Sequence, residues 1–143
     1  MARNKEEPRN DTHLFAVAAF IAATASFAIL QKAAAQDVEK GQRSFFKCLP
    51  CHAVGPGAEN KVGPELNGLD GRHAGTAANF NYSDANKNSG IVWNEPTFKD
   101  YIRNPQAKIS GTKMVFAGIT NPQEVDDLWA YIKQFDAKGE AKK

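Results

Sequence analysis

The sequence predicts an all-α domain. Amphipathic patterns lie near both ends of the polar part of the chain, and no alternating strand pattern occurs between them. Residues 53–93 offer only short helical possibilities, and six of the eleven glycines lie between residues 55 and 75. Because about forty residues with so little regular structure are unusual in a compact domain, we expect this segment to wrap something other than polypeptide.

The first helix is predicted over residues 38–50. Small or apolar residues share roughly one side of it, namely Val38, Gly41, Phe45 and Cys48. A glycine on that side lets a second helix approach closely, and we expect Leu128 or Trp129 to be the residue that approaches it.

Two shorter elements are predicted in the middle of the chain. One is a helical turn at residues 84–87, with Ser83 as its N-cap. The other is a helix that begins after Asn94 as N-cap and runs to Asn104, where Pro105 ends it by disfavouring helical geometry in the preceding residue. Its apolar side consists of Phe98, Tyr101 and Ile102.

The last helix has the clearest signals. Asn121 is the expected N-cap, Pro122 the first helical residue, and Glu124 stands three residues after the cap. Apolar residues then recur at spacings of three and four: Val125, Leu128, Trp129, Ile132 and Phe135. This spacing predicts an amphipathic helix with one buried face.

Residues 1–35 are predicted to be an export signal, and residues 36–143 the functional domain. Residues 14–30 form an uncharged apolar run, and Ala33 and Ala35 suit a signal-peptidase site. The alternative is an uncleaved membrane anchor, since this run barely reaches the length needed to span a bilayer. Either way the domain lies outside the cytoplasm, and it contacts a membrane only if the leader is retained.

Length and charge narrow the class of protein further. A chain of 143 residues has room for one domain, and its formal net charge of +2 does not indicate a nucleic-acid-binding surface. Without the leader, the apolar residues are too few for a large core. The domain therefore needs a component besides its own apolar side chains to complete a hydrophobic core.

Both cysteines of the chain lie in one short segment, Cys48-Leu49-Pro50-Cys51-His52. On a helix, two cysteines three residues apart point to nearly the same side, which suits two thioether bonds to one haem. The histidine that follows can place its imidazole under the iron. Cys-x-x-Cys-His is the attachment pattern of c-type haem.

Three other interpretations of the two cysteines stay open. A thioredoxin-like redox pair would need alternating strands and helices around it, and none is predicted. A zinc site could use both cysteines, but the adjacent His52 cannot easily turn to the same ion. His73 is the one other histidine in residues 36–143. A disulfide within one helical turn would be strained and would close almost no loop.

If haem is bound here, Met114 is the candidate for the sixth iron position. Apart from Met1 it is the chain's one methionine, and it lies in a loop flanked by Gly111 and Gly118. The competing interpretations are a methionine that fills a gap in the core and His73 as the ligand.

The chain resembles the class I c-type cytochromes, that is, mitochondrial-type cytochrome c and its soluble bacterial periplasmic relatives. The resemblance covers residues 37–136 and rests on the motifs CLPCH, VGPELNGLDGR, FNYSDANKNSGIVW, YIRNP, GTKMVFAGI and DDLWAYIKQF. It implies the cytochrome c fold, in which the N- and C-terminal helices cross while short helices and long loops wrap one covalently bound haem c.

The resemblance also implies roles for individual residues. On the histidine side of the haem, the expected neighbours are Pro64, which would accept a hydrogen bond from His52, and the side chains of Leu66 and Leu69. The buried propionate would be held by Arg72, Tyr82 and Trp93.

On the methionine side, the resemblance implies a small polar network near Met114. Its members would be Asn86, Tyr101 and Thr112, and Phe116 would lie at the exposed haem edge.

The implied function is one-electron transfer rather than catalysis. Histidine and methionine would fill both axial positions, whereas the alternative, a haem enzyme such as a peroxidase, needs an open one. Partners would be membrane redox complexes such as the cytochrome bc1 complex, a terminal oxidase or a photosynthetic reaction centre, and the carrier would be a monomer in the bacterial periplasm. The lysines expected to steer docking are Lys47, Lys61, Lys108 and Lys113.

Overall fold

A computed structural model describes residues 35–142, and the fold is all-α as predicted. The helices are α1 (Val38–Phe45), α2 (Asp84–Lys87), α3 (Glu95–Arg103), α4 (Pro105–Lys108) and α5 (Pro122–Lys133). Across the described residues, β-type pairing is limited to two isolated bridges, His73 with Val92 and Phe135 with Ala141. All of the predicted export signal except Ala35 lies outside this range.

Helices α1 and α5 cross at Gly41. A Cβ atom on this residue would lie 1.9 Å from the main-chain oxygen of Asp127 and 2.8 Å from the Cβ atom of Tyr131. Any larger side chain would therefore push the two helices apart. The Phe45 ring packs beside Tyr131, with 5.4 Å between the ring centroids.

The prediction that Leu128 or Trp129 approaches Gly41 was wrong. The two residues of α5 nearest to Gly41 are Asp127 and Tyr131, which are four apart and share a face. Leu128 and Trp129 are fully buried elsewhere. Leu128 lines an internal cavity, and Trp129 packs on Phe98 of α3 with 5.0 Å between ring centroids.

Helix α1 ends at Phe45, earlier than the predicted limit of residue 50. The chain continues as tight turns, in which the Cys48 N–H donates to the Phe45 carbonyl at 2.8 Å and the His52 N–H donates to the Cys48 carbonyl at 2.8 Å. Pro50 has no N–H to continue a helical ladder. The cysteine motif thus lies in wound turns directly after α1.

The predicted caps of α2, α3 and α5 are confirmed. The side chain of Asn121 accepts hydrogen bonds from the N–H groups of Gln123 (3.0 Å) and Glu124 (3.2 Å). Ser83 caps α2 and Asn94 caps α3 in the same way.

The sequence did not predict α4. It begins directly after Asn104, whose side chain accepts a hydrogen bond from the Ala107 N–H at 3.1 Å. Pro105 is thus the first residue of a new helix as well as the end of α3.

The core lies between α1, α3, α5 and the loops. The most deeply buried large apolar residues are Val125, Leu128, Trp129 and Ile132 of α5, joined by Phe45 of α1 and by Phe98 and Ile102 of α3. In residues 35–142 no helix has the length and apolar character needed to cross a membrane.

Candidate functional site

An apolar cavity extends from the cysteine motif to the loop that carries Met114. Its apolar walls include Leu66, Leu69, Phe98, Ile102, Leu128 and Ile132. The predicted site residues that line it come from distant parts of the chain: Lys47, Cys48, Cys51, His52, Pro64, Leu66, Leu69, Arg72, Tyr82, Asn86, Trp93, Tyr101, Thr112, Lys113, Met114 and Phe116. The fold therefore brings the residues predicted on the histidine side and those predicted on the methionine side of the haem to one cavity.

The cysteines are not bonded to each other. Burial raises the pKa of the Cys48 thiol to about 11, so the free thiol would stay protonated at neutral pH. A thiol–disulfide redox pair needs a thiolate at neutral pH, and the environment of Cys48 opposes one. In the described part of the chain, no three His, Cys, Asp or Glu side chains come close enough to share a metal ion.

His52 is buried, and its orientation is fixed by Pro64. The Nδ1 atom lies 2.7 Å from the Pro64 carbonyl oxygen, so Nδ1 carries the donated proton and the lone pair of Nε2 is left for a metal. Burial is the main cause that lowers the His52 pKa, with a smaller contribution from the nearby positive charges of Lys61 and Arg72 and an opposing one from the Pro64 hydrogen bond. The imidazole is therefore held in the neutral form that binds metals.

Gly63 lets the backbone lie directly against the His52 ring. A Cβ atom at this position would be 2.3 Å from the ring carbon Cε1 of His52. The segment is tied to the motif by hydrogen bonds from the Gly63 N–H to the Cys51 carbonyl (2.8 Å) and from the Leu66 N–H to the Ala53 carbonyl (2.9 Å). These contacts place the Pro64 carbonyl beside the imidazole.

Met114 is half-buried, and several hydrogen bonds hold it. Its sulfur accepts a hydrogen bond from the Tyr101 hydroxyl at 3.3 Å, and its N–H donates to the Thr112 hydroxyl at 3.3 Å. The side-chain amide of Gln106 donates to the carbonyl oxygens of Met114 (2.9 Å) and Thr112 (3.1 Å). These bonds hold the loop around Met114 in place, and the thioether lines the cavity.

Tyr101 connects the polar residues predicted on this side of the cavity. Its hydroxyl lies 3.5 Å from the Thr112 hydroxyl, and its ring packs edge-on against Trp93 with 4.9 Å between centroids. Burial raises the pKa of Tyr101, while hydrogen bonds to Thr112 and Asn86 oppose that shift. The phenol is therefore neutral at neutral pH and acts as a hydrogen-bond donor.

Arg72 lines the cavity but already has a partner. Its Nη1 atom lies 2.7 Å from the Oε1 atom of Glu65, and its Nη2 atom donates to the Glu65 carbonyl at 2.8 Å. Tyr82, also on the cavity, has its pKa raised mainly by burial.

The four lysines differ in their surroundings. Lys47 lines the cavity and pairs with Glu124, whereas Lys113 lines it and donates to the Asn81 carbonyl at 3.1 Å. Lys61 lies one residue before the cavity-lining Val62. Lys108 pairs with Asp100 and does not line the cavity.

His73, the alternative sixth ligand, is exposed and does not line the cavity. Its backbone is paired with Val92.

Sequence reasoning missed three residues that help to shape the site. Phe80 lines the cavity and packs edge-on against Tyr82 with 4.7 Å between centroids. Gln106 holds the Met114 loop, and Glu65 holds Arg72. An aromatic residue within a polar loop was the one available signal, at Phe80; the amide and the carboxylate look like ordinary surface residues.

The residues on the cavity suit a haem. They supply two thiols, a neutral imidazole with Nε2 open, a thioether sulfur and a guanidinium on largely apolar walls. Fold and site together define a class of protein, an all-α domain built around one covalently attached haem.

The comparisons with known proteins agree with this class. The family model described as cytochrome c matches residues 38–136. Cytochrome c2 of Rhodoplanes tepidamans is 69% identical over 107 residues, which is 75% of this chain and 100% of that protein. Cytochrome c-550 of Bradyrhizobium diazoefficiens is 64% identical over 102 residues, 71% of this chain and 75% of that one.

A solved structure, cytochrome cH from Methylobacterium extorquens, superposes with a TM-score of 0.64 at 42% identity, covering 68% of this chain and 97% of that one. The chain belongs to the cytochrome c family. It is an electron carrier with one covalently bound haem c, and the family and fold predicted from the sequence are confirmed.

Proposed function

We propose that the chain is a periplasmic one-electron carrier in which His52 and Met114 ligate the haem iron and Cys48 and Cys51 form the thioether bonds. The observation that supports this most directly is that both candidate ligands line one cavity, each oriented by a hydrogen bond. Pro64 orients His52 at 2.7 Å, and Tyr101 orients Met114 at 3.3 Å. The iron supplies the one-electron chemistry.

The remaining cavity residues serve this role without taking part in a chemical step. Arg72, Tyr82 and Trp93 are the donors for a haem propionate, whose charge is costly to bury unpaired. The apolar walls exclude water. If His52 and Met114 both held the iron, no coordination position would be open to oxygen or peroxide, which favours a carrier over an enzyme.

The leader determines where the carrier works. Residues 1–35 act as a cleaved export signal that delivers the domain, residues 36–143, to the periplasm. If the leader is retained, the same domain is a membrane-anchored carrier.

The partners are membrane redox complexes such as the cytochrome bc1 complex, a terminal oxidase or a photosynthetic reaction centre. Lys113 on the cavity mouth, with Lys61 nearby, attracts an acidic surface, and Lys47, also on the mouth, contributes less because it pairs with Glu124. Lys108 contributes less than the resemblance implies, because it pairs with Asp100 and lies off the cavity.

One preparation tests this proposal. The intact mass of the purified native protein should equal residues 36–143 plus one haem, and its oxidised absorption spectrum should contain the weak far-red band of sulfur-to-iron ligation. High-spin ferric iron at neutral pH would instead favour a haem enzyme. A mass that includes residues 1–35 would establish the anchored form.

The charges at the cavity mouth should control the rate of oxidation by a small anion. We expect Lys113→Gln to slow oxidation by ferricyanide, and Glu124→Gln to accelerate it because Lys47 then loses its neutralising partner. Each change should be roughly twofold at low ionic strength and should fade with added salt. Stopped-flow absorbance measures the second-order rate constant.

The matched control is Asp100→Asn, which removes the carboxylate partner of Lys108 away from the cavity. It should change the ferricyanide rate less than Glu124→Gln does. A cationic cobalt oxidant should reverse the sign of both main effects. Equal effects of Asp100→Asn and Glu124→Gln would contradict a docking surface at the cavity mouth.

A further inference from the structure

Glu65 holds the Arg72 side chain at two points. Its carboxylate oxygen Oε1 accepts from Nη1 at 2.7 Å, and its main-chain oxygen accepts from Nη2 at 2.8 Å. A third bond runs from Nη1 to the Asn67 carbonyl at 3.2 Å. Arg72 lines the cavity, whereas Glu65 does not.

These bonds leave part of the guanidinium available to a ligand. A guanidinium has five N–H donors, and among the described residues three of them bond to Glu65 and Asn67. The remaining donors are at Nε and Nη2. Two such donors match the two oxygens of a carboxylate, which is what a haem propionate presents.

Glu65 is itself fixed in place. Its second carboxylate oxygen accepts from the Asn67 N–H at 2.7 Å, and its own N–H donates to the Asn60 side chain at 3.0 Å. Asn67 is in turn bonded through its side chain to both backbone groups of Gly55, at 2.8 and 3.0 Å. The carboxylate position is thus set by the loop.

The ion pair is also sheltered from solvent. The side chains of Arg72 and Glu65 are 16% and 23% exposed, whereas those in the lysine–carboxylate pairs of the described residues are 27% to 91% exposed. Salt screens partly buried charges much less than exposed ones. Salt therefore weakens the field of this pair little, and removing the charge of Glu65 would leave the positive charge of Arg72 uncompensated at the cavity.

We propose that Glu65 is a positioning residue for electron transfer: it aims the free donors of Arg72 at a haem propionate, and its charge lowers the midpoint potential. The inference rests on the proposed function, because it requires haem in this cavity. A negative charge near the iron stabilises the ferric form over the ferrous form. Removing that charge while keeping a hydrogen-bond acceptor should raise the potential.

The test is a spectroelectrochemical titration of the holoprotein and its Glu65→Gln variant. The matched control is Glu59→Gln, which removes an exposed carboxylate from the same loop. We expect an upward shift for Glu65→Gln that exceeds the shift for Glu59→Gln and persists in high salt. Far-ultraviolet circular dichroism and haem content establish that both variants fold.

The direction of the shift separates this role from a merely structural one. Loosening the loop would admit water, and water stabilises the more highly charged ferric form, so a structural defect would shift the potential downward. A downward shift, or a shift no larger than that of Glu59→Gln, overturns the proposal. The wild-type spectrum tests the proposed function separately, since absent haem or an absent far-red band would refute that function whatever Glu65 does.

Discussion

Replacing Met114 with alanine is expected to lower the midpoint potential and to open the iron to added ligands. A thioether ligand favours the ferrous form, so its loss favours the ferric form. Axial ligands set haem potentials over a range of about 0.8 V, and we expect a decrease on the order of 0.1 V or more. The far-red band should disappear, and imidazole or cyanide should bind readily.

The structure makes this substitution a clean test of ligation. The Gln106 amide holds the loop through main-chain oxygens, and these bonds do not depend on the Met114 side chain. The hydroxyl of Tyr101 keeps its contact with Thr112 at 3.5 Å. The backbone around residue 114 should therefore stay in place when the thioether is removed.

Val115→Ala is the matched control, because Val115 is adjacent, lines the same cavity, is 95% exposed and has no atom that could bind iron. It should leave the potential and the far-red band unchanged. If Met114→Ala behaved in the same way, another residue would hold the sixth position, and the exposed His73 would become the candidate.

The elements predicted well from the sequence are those whose signals are local. Asn121, Pro122 and Glu124 specify the start of α5 within four residues, and Asn94 does the same for α3. Helix α4 was missed because a proline that ends one helix is also a good first residue for the next. The end of α1 was misplaced because the turns around Pro50 continue its apolar side with an interrupted hydrogen-bond ladder, in which some N–H groups bond three residues back and others four.

The same distinction between local signals and tertiary contacts applies to the functional site. The cysteine motif could be recognised by its spacing, and the one methionine of the domain by its rarity, because both properties are apparent from the sequence alone. The roles of Glu65 and Gln106 depend on contacts with Arg72 and Met114 that the folded loops create. The rotation of α5, which brings Asp127 rather than Leu128 to Gly41, is likewise set by packing on α3 and on the cavity.

Substituting both cysteines, as Cys48→Ala with Cys51→Ala, is expected to leave a largely unfolded chain. The cavity walls are core residues of α3, α5 and the loops, among them Leu69, Phe98 and Leu128. Burying several hundred Å² of haem against them contributes on the order of 10 kcal/mol at about 25 cal/mol per Å². Domains of this size have a net stability of only about 5–15 kcal/mol, so loss of the haem removes most or all of it.

Far-ultraviolet circular dichroism and amide hydrogen exchange measure the outcome. The matched control is Phe46→Ala with Leu49→Ala, which changes two exposed side chains of the same segment, 64% and 38% exposed, and leaves the haem attachment intact. That control should retain the helix content of the native protein. Native-like helix content in the cysteine variant would mean that α1 and α5, packed at Gly41, are stable on their own. Burial of the haem would then not be what stabilises the crossing of these two helices.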